Sequence, residues 1–445
     1  MQVEKTTLPR KYHEAVQHWQ RHHFKDYDTL LAQWDRFFPT DPPFCLCAQL
    51  ECHVSPEIEI GPDRGQAKYE SPATMGEERA RHLLAIIRAQ ASTEFGSIQQ
   101  HQVTIDRAAD DQDRFWVLRV MAEELRHGYQ MFSLLLGQDW SSVSGQSADD
   151  MIEEILSMQT GSHVLEAFNV DYDSFVDNVV FAALIDRVGK YQLTMQKVCA
   201  YKPFAQSMPQ MLREEAFHLA AGVIPMRRWV EQAARGDMCV TLPVLQKSVN
   251  KWLPRGLEMF GHEKGGDTNI RLGFKDKLNA EAQALYYAEC QRLVDDLNQR
   301  YVRARFPGAS REKADQVIDT LRRERGVHDG VAWDDLLRLP DPRFFRRRGV
   351  PAFQMVGVDG EVFGSPDAYL GHLGRHLPEA YMASRDLSRH AQTLRRVVAG
   401  ELTAEQAAKQ MPALKRVGGV CPCSRAVRWI VEEPGPPPDG AAPAP

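Results

Sequence analysis

From about Glu77 to Tyr301 the chain repeats apolar residues at three- and four-residue spacing with few glycines, the period of helices that bury one face. Four segments carry the pattern most clearly. His82–His101 aligns Ile87, Gln90, Glu94, Ile98 and His101 on one stripe, and Arg114–Leu136 aligns Val117, Val120, Glu124, His127, Met131 and Leu134. Phe175–Val198 aligns Val179, Ala182, Asp186, Gly189 and Leu193, and Met208–Val230 aligns Met208, Met211, Glu215, His218 and Gly222. Leu242–Phe260 and Ala280–Phe306 predict two further helices. Upstream, one helix is expected over about Tyr12–Phe38, stopped by Pro39–Pro43 and followed by a loop region containing Pro and Cys.

Beyond Pro307 the texture changes. Ala352–Val358, then Asp359-Gly360 and Glu361-Val362-Phe363, predicts a short hairpin on a D-G turn, with helices near 366–380 and 385–411. The expected organisation is an N-terminal helix and loop region (1–75), a helical domain (76–306), a small mixed α+β domain (307–433) and a tail (434–445). The tail is Pro-, Gly- and Ala-rich, cannot bury a core and is expected to be disordered.

Composition narrows the class. With 445 residues and 43% hydrophobic content, the chain can build a sizeable core and more than one domain. Its 54 basic and 60 acidic residues give a net charge of −6, so no basic excess asks for nucleic acid or an anionic membrane. No apolar run approaches the ~20 residues that span a bilayer, and the first thirty residues are too polar for a secretory signal. A soluble cytoplasmic protein is expected. Eight cysteines are too few for a disulfide scaffold. Cys45, Cys47 and Cys52 with His53, and Cys421 with Cys423, could meet as a structural zinc site. Their C-x-C spacing is tighter than zinc ligands usually show, which favours reduced thiols.

The chemistry lies in what interrupts the four stripes. Each carries one carboxylate among apolar or small residues, and an ionised carboxylate facing a core needs a partner or must take up a proton. Four such carboxylates and two histidines cannot satisfy one another. Two divalent cations would balance the four negative charges. Glu124-Leu-Arg-His127 and Glu215-Ala-Phe-His218 are both Glu-x-x-His, which puts two ligands on one helix face. Glu94 precedes the first motif by 30 residues and Asp186 precedes the second by 29. One helix–turn–helix unit therefore occurs twice, as a four-helix bundle around two metals requires.

A solvated face with incidental histidines would not keep apolar neighbours on the same stripe. The candidate ligands are thus Glu94, Glu124, His127, Asp186, Glu215 and His218. His101 is expected to be a core residue rather than a ligand. Carboxylate and imidazole donors suit iron or manganese better than zinc or copper, and a pair of such metals suits reductive activation of O₂. No Gly-rich dinucleotide fingerprint or four-cysteine cluster is present, so electrons must come from a separate reductase.

Glu94, Ala122–His127, Ile185–Leu193 and Met211–Leu219 resemble the oxygenase subunits of benzoyl-CoA 2,3-epoxidases and, more distantly, the catalytic subunits of phenylacetyl-CoA epoxidases. Asp at the third carboxylate position fits that group. Weaker similarity at Ala15–Gln20, Leu242–Lys247 and Leu339–Arg346 extends the resemblance over most of 12–365. It implies a mainly α, ferritin-like four-helix di-iron bundle with additional helices, holding two iron ions that use O₂ to epoxidise the ring of an aryl-CoA thioester. It also implies a homodimer served by a flavin or iron–sulfur reductase that draws on NADPH or NADH. Gln90 then becomes a candidate substrate contact at the thioester carbonyl, or an orienting partner of a metal ligand. Arg343, Arg346, Arg347 and Arg348 could meet CoA phosphates, although such a run is expected to be a solvated face. The alternatives are a ferritin-like iron-binding or ferroxidase protein, a di-iron hydroxylase of another aromatic or acyl substrate, and a radical-generating subunit. The last would need a tyrosine at the metals, and Tyr129 and Tyr191 lie off the inward stripe.

Overall fold

The computed structural model describes residues 2–237, 240–261, 267–347 and 354–410. Helices are labelled in chain order: α1 Arg10–His23, α2 Glu77–Thr104, α3 Asp111–Leu136, α4 Phe175–Gln196, α5 Lys202–Arg235, α6 Leu242–Glu258 and α7 Asn279–Arg305; shorter ones are named by residue. The four striped segments fall on α2, α3, α4 and α5, and the two added helices on α6 and α7. Local chemistry sets the ends. The Asp110 side chain accepts from the backbone N–H groups of Gln112 and Asp113 and caps α3. Gly236, at φ +78, takes the left-handed conformation that closes α5.

The stripes dictate the packing. α2 lies against α3 and α4 against α5, while α3–α5 and α2–α4 contacts join the two pairs into a bundle. α6 covers α4 and α7 covers α5. Small residues let the backbones approach. A Cβ on Gly222 of α5 would lie 2.3 Å from the Ala183 nitrogen of α4, and one on Gly128 of α3 would lie 2.8 Å from the Phe95 ring of α2. Trp19 of α1, fully buried, packs edge-on to Phe95 at 4.7 Å and seals the α2–α3 pair.

The expected single N-terminal helix is instead three: α1, Tyr27–Ala32 and Trp34–Phe37. The break falls at Phe24, whose backbone leaves the helical region at φ −129 and ψ 77. Its ring is fully buried against Tyr27, and its carbonyl accepts from the Gln20 side chain rather than from a continuing helix. Two strands, β1 (Val3–Thr6) and β2 (Ala48–Glu51), pair antiparallel with Val3 opposite Glu51 and tie this region to α5.

A further hairpin, β3 (Val327–His328) with β4 (Val331–Ala332), turns on Asp329-Gly330, both at positive φ, as a two-residue loop demands. At Asp359-Gly360 the expected hairpin is reduced to one antiparallel bridge, Val356 to Val362; Ala352 and Phe353 lie outside the described residues. The helical stretches after it form Pro366–His376, Glu379–Met382, Arg385–Val398 and Ala404–Gln410. The tail 434–445 also lies outside the described residues.

The arginine run divides: Arg343 is exposed as expected, whereas Arg346 and Arg347 are buried. Arg346 and Arg347 are 2% and 1% exposed. Arg347 forms a bidentate pair with Asp386 at 2.6 and 2.5 Å and donates its backbone N–H to Glu258. Arg343 folds back on Asp341 at 3.0 Å. Arg347 thus fastens the helix Arg385–Val398 to α6. Arg348 lies outside the described residues. Among the described residues no helix is long and apolar enough to cross a membrane.

Candidate metal centre

The bundle brings the six candidate ligands to one buried place, none more than 8% exposed. One donor atom each from Glu94, Glu124 and His127 lie within 4.8 Å of one another, and so do donors from Glu124, Asp186 and His218. Glu124 belongs to both triplets. Glu215 is outside them, yet its Oε2 stands 3.5 Å from His218 Nδ1. Gly189 makes room for it, since a Cβ there would sit 2.8 Å from Glu215 Oε1.

The inward-facing atoms lack partners. His127 Nδ1, His218 Nδ1, Asp186 Oδ2 and Glu215 Oε2 are buried and accept or donate no hydrogen bond. The outward nitrogens each face a carboxylate, and one of them is hydrogen-bonded. His127 Nε2 lies 2.8 Å from Glu214 Oε2, and His218 Nε2 lies 3.2 Å from Glu123 Oε2, less well aligned than a hydrogen bond requires. Each of these outer carboxylates is itself held by an arginine: Glu214 by Arg126 at 2.7 Å and Glu123 by Arg119 at 3.0 Å. The arrangement is reciprocal, because each motif's first glutamate serves the other motif's histidine. Orienting a ligating imidazole through its second nitrogen is what carboxylates commonly do around metals.

Without a cation the cluster is electrostatically frustrated. Burial, followed by the charge of Glu94, pushes the Glu124 carboxyl up to about 8. Asp186 is raised well above its ordinary range by burial and by Glu124 and Glu215. Glu215 is raised in the same way, burial outweighing the help of His218. Burial would lower both histidines, but their carboxylate neighbours raise them well above normal. Glu214 goes the other way: burial opposes ionisation, yet His127 and Arg126 hold it at about 2. Unpartnered inner donors, oriented histidines and carboxylates forced toward the neutral form fit a site for divalent metal with oxygen and nitrogen ligands.

A cavity of about 210 Å³ reaches this cluster. Glu94 and Glu215 form part of its wall, with Ile86, Leu193 and Met259 as apolar lining. Gln90 also lines it, and its Oε1 has no partner. His101 does not join the donors. Its Nδ1 faces the Asn178 amide at 2.9 Å and its ring packs edge-on to Tyr172 and Phe181. Tyr129 and Tyr191 are tied elsewhere, to His13 and to Glu289. The tyrosine beside the carboxylates is Tyr172, whose buried hydroxyl is unpartnered and is raised by burial and by the charge of Asp186. Lys190 pairs with Glu289 at 2.9 Å.

Sequence reasoning missed Glu123 and Glu214, although the doubled Glu-Glu-x-x-His carries the signal. Cys45 and Cys47 place their sulfurs 2.9 Å apart as free thiols, with Cys52 free and exposed; Cys421 and Cys423 lie outside the described residues.

Similarity to known proteins runs over the same helices. Benzoyl-CoA oxygenase component B of Aromatoleum evansii is 25% identical over 345 residues, covering 70% of this chain and 70% of that protein. The family model described as Phenylacetic acid catabolic protein matches residues 65–333, more than half of the chain and all four helices that carry the donors. The chain belongs to the phenylacetic acid catabolic protein family.

Proposed function

We propose that this chain is the oxygenase component of a multi-component system, a ferritin-like di-iron protein that adds one oxygen atom from O₂ to the ring of an aryl-CoA thioester. The observation that carries the reading is the pair of donor triplets sharing Glu124, with unpartnered inner atoms, beside a largely apolar cavity that Glu94 and Glu215 help to line. The donor set Glu94, Glu124, His127, Asp186, Glu215 and His218 would hold two irons. Bound there, iron would supply the site at which O₂ is reduced by two electrons and two protons, one oxygen atom leaving as water and the other going to the substrate. A separate reductase, drawing on NADPH or NADH, is the proposed source of those electrons, and its name as a component places the relative in a system of several parts.

The chain's own groups then divide the work. Glu214 fixes the ring orientation of His127 from outside, and Glu123 stands 3.2 Å from His218 on the corresponding side. The cavity gives the substrate a place beside the donor cluster. Its volume exceeds the ~150 Å³ of a protein cavity that holds benzene, so it suits one aromatic acyl group and leaves the nucleotide portion of a CoA ester outside. Gln90 offers a free amide on that wall. In this reading residues 76–306 are the oxygenase unit, and the following helices, fastened through Arg347, brace it.

Two measurements test the proposal. Purified protein should contain about two irons per chain. Incubated with reductase, NADPH and O₂, it should convert benzoyl-CoA, phenylacetyl-CoA or a substituted relative into a product heavier by one oxygen atom, with thioester-stimulated oxygen uptake. Uptake driven by ferrous iron alone, with no oxygenated thioester, would instead identify a ferroxidase. Glu214→Ala should weaken metal affinity about 10- to 100-fold by freeing the His127 ring, read by competition with a chelator. An unchanged affinity would remove Glu214 from the orienting role.

A further inference from the structure

The cavity beside the donor cluster contains a charge that the metal reading does not use. Lys275, between Arg271 and the start of α7, is 7% exposed and lines the same wall as Glu94, Glu215 and Gln90. Its ammonium donates one hydrogen bond, to Gln192 Oε1 at 2.6 Å. Among the described residues no carboxylate lies within 4.0 Å of it. An ammonium has three donors, so two remain, and a neutral amide does not offset the cost of burying a full charge. Burial alone lowers its pKa to about 8, which leaves it mostly charged at neutral pH.

The position is built rather than incidental. Gly273, at φ +79, turns the chain where its carbonyl accepts from the Ala200 N–H at 2.7 Å. Phe274 stacks on His82, and the Lys275 backbone N–H reaches the Asn269 carbonyl at 3.3 Å. Gln196, also on the cavity wall, has an unpartnered Oε1. Apart from Thr93, the remaining lining is apolar and includes Ile86, Leu193 and Met259. A ligand that completes this cavity has an apolar body and one oxygen-bearing end that accepts from a cation.

We infer that Lys275, steadied by Gln192, is the group that receives the acyl oxygen of the substrate, the carbonyl of an aryl thioester or the carboxylate of an aryl acid. The inference rests on the proposed oxygenase reading for its substrate class. A charge-assisted hydrogen bond to that oxygen fixes which end of the acyl group faces away from the ring to be oxidised. Lys275 is thus a specificity determinant that selects arenes carrying an oxygenated substituent over bare arenes.

Binding without turnover tests it. The full-length, metal-loaded protein is titrated calorimetrically, with no reductant present, against benzoyl-CoA, benzoate and toluene, alongside Lys275→Met, a shape-conserving neutral variant. Loss of a buried charge-assisted hydrogen bond should weaken the oxygenated ligand about 10- to 100-fold. Toluene affinity should stay within about twofold and metal content should not change. Tight benzoyl-CoA with weak benzoate assigns the thioester carbonyl. Tight benzoate with no thioester binding assigns a free carboxylate; Lys275 then stands and the proposed thioester substrate falls. The inference is overturned if Lys275→Met leaves the oxygenated ligand unaffected, if toluene weakens in parallel, or if metal is lost, since the lysine would then serve packing or the donor cluster. If the unaltered protein binds neither oxygenated ligand, both readings fail.

Discussion

Glu124→Ala should strip the protein of both metals, whereas Glu94→Ala should leave close to half the metal content. The difference follows from geometry. Glu124 contributes to the triplet with Glu94 and His127 and to the triplet with Asp186 and His218, and no other residue is in both. Glu94 belongs to one half. Removing Glu124 leaves each half a carboxylate short and leaves His127 and His218 facing the gap it vacates. Stability should separate the two states of the variant. A ligand present at about 100 times its Kd stabilises the fold by about 2.7 kcal/mol, so the metal-loaded form should lose that for each ion. The metal-free form should lose far less, because the deleted group is one that burial and Glu94 already drive toward its neutral form. Metal analysis after dialysis, with melting curves in both states, checks this. Equal metal content in Glu124→Ala and Glu94→Ala would show that Glu124 does not bridge the halves.

Much of this site is legible in the sequence because helices preserve spacing. A carboxylate in an apolar stripe at a period of 3.6 is already located in space, and four such stripes locate one another by having to bury their faces together. The small residues Gly189 and Gly222 belong to the same logic: Gly189 makes room for Glu215, and Gly222 lets α4 and α5 touch. What escaped were groups whose meaning depends on a distant partner. Arg347 looks like part of a solvated run until Glu258 and Asp386 are brought to it from 89 and 39 residues away. Lys275 sits in a loop with no period to orient it, so nothing local distinguishes a buried ammonium from an exposed one. Phe24 ends a helix by leaving the helical conformation while its carbonyl takes the Gln20 side chain, which no proline or glycine announces. Glu123 and Glu214 were visible as repeats, but their crossing to the opposite histidine is a property of the bundle, not of either motif.

Stripped of metal, the protein should lose stability as pH rises from about 5 to about 8, by an amount on the order of 2–4 kcal/mol. The sign follows from where protons sit. Glu124 has an ordinary value of 4.5 and is held at about 8 in the fold, so across this window the folded chain keeps a proton that the unfolded chain has released. Raising the pH therefore favours unfolding, and the stabilising contribution is gone once pH passes the folded value. Asp186 and Glu215 are shifted in the same direction, and so are His127 and His218, whose raised values keep them charged after the unfolded chain has lost its protons. Glu214, held at about 2, is ionised in the folded chain throughout and very largely so in the unfolded one, so it adds little slope. Metal reverses the trend. Cations need ionised carboxylates and neutral histidines, so binding expels those protons and tightens as pH rises. Urea denaturation midpoints at both ends of the window should fall with pH for the metal-free protein and rise for the metal-loaded one, and Glu124→Gln should make the metal-free trend shallower. A metal-free protein whose stability is level or increases with pH would mean that the carboxylates are not forced together in the folded chain, and the electrostatic case for two cations would lose its footing.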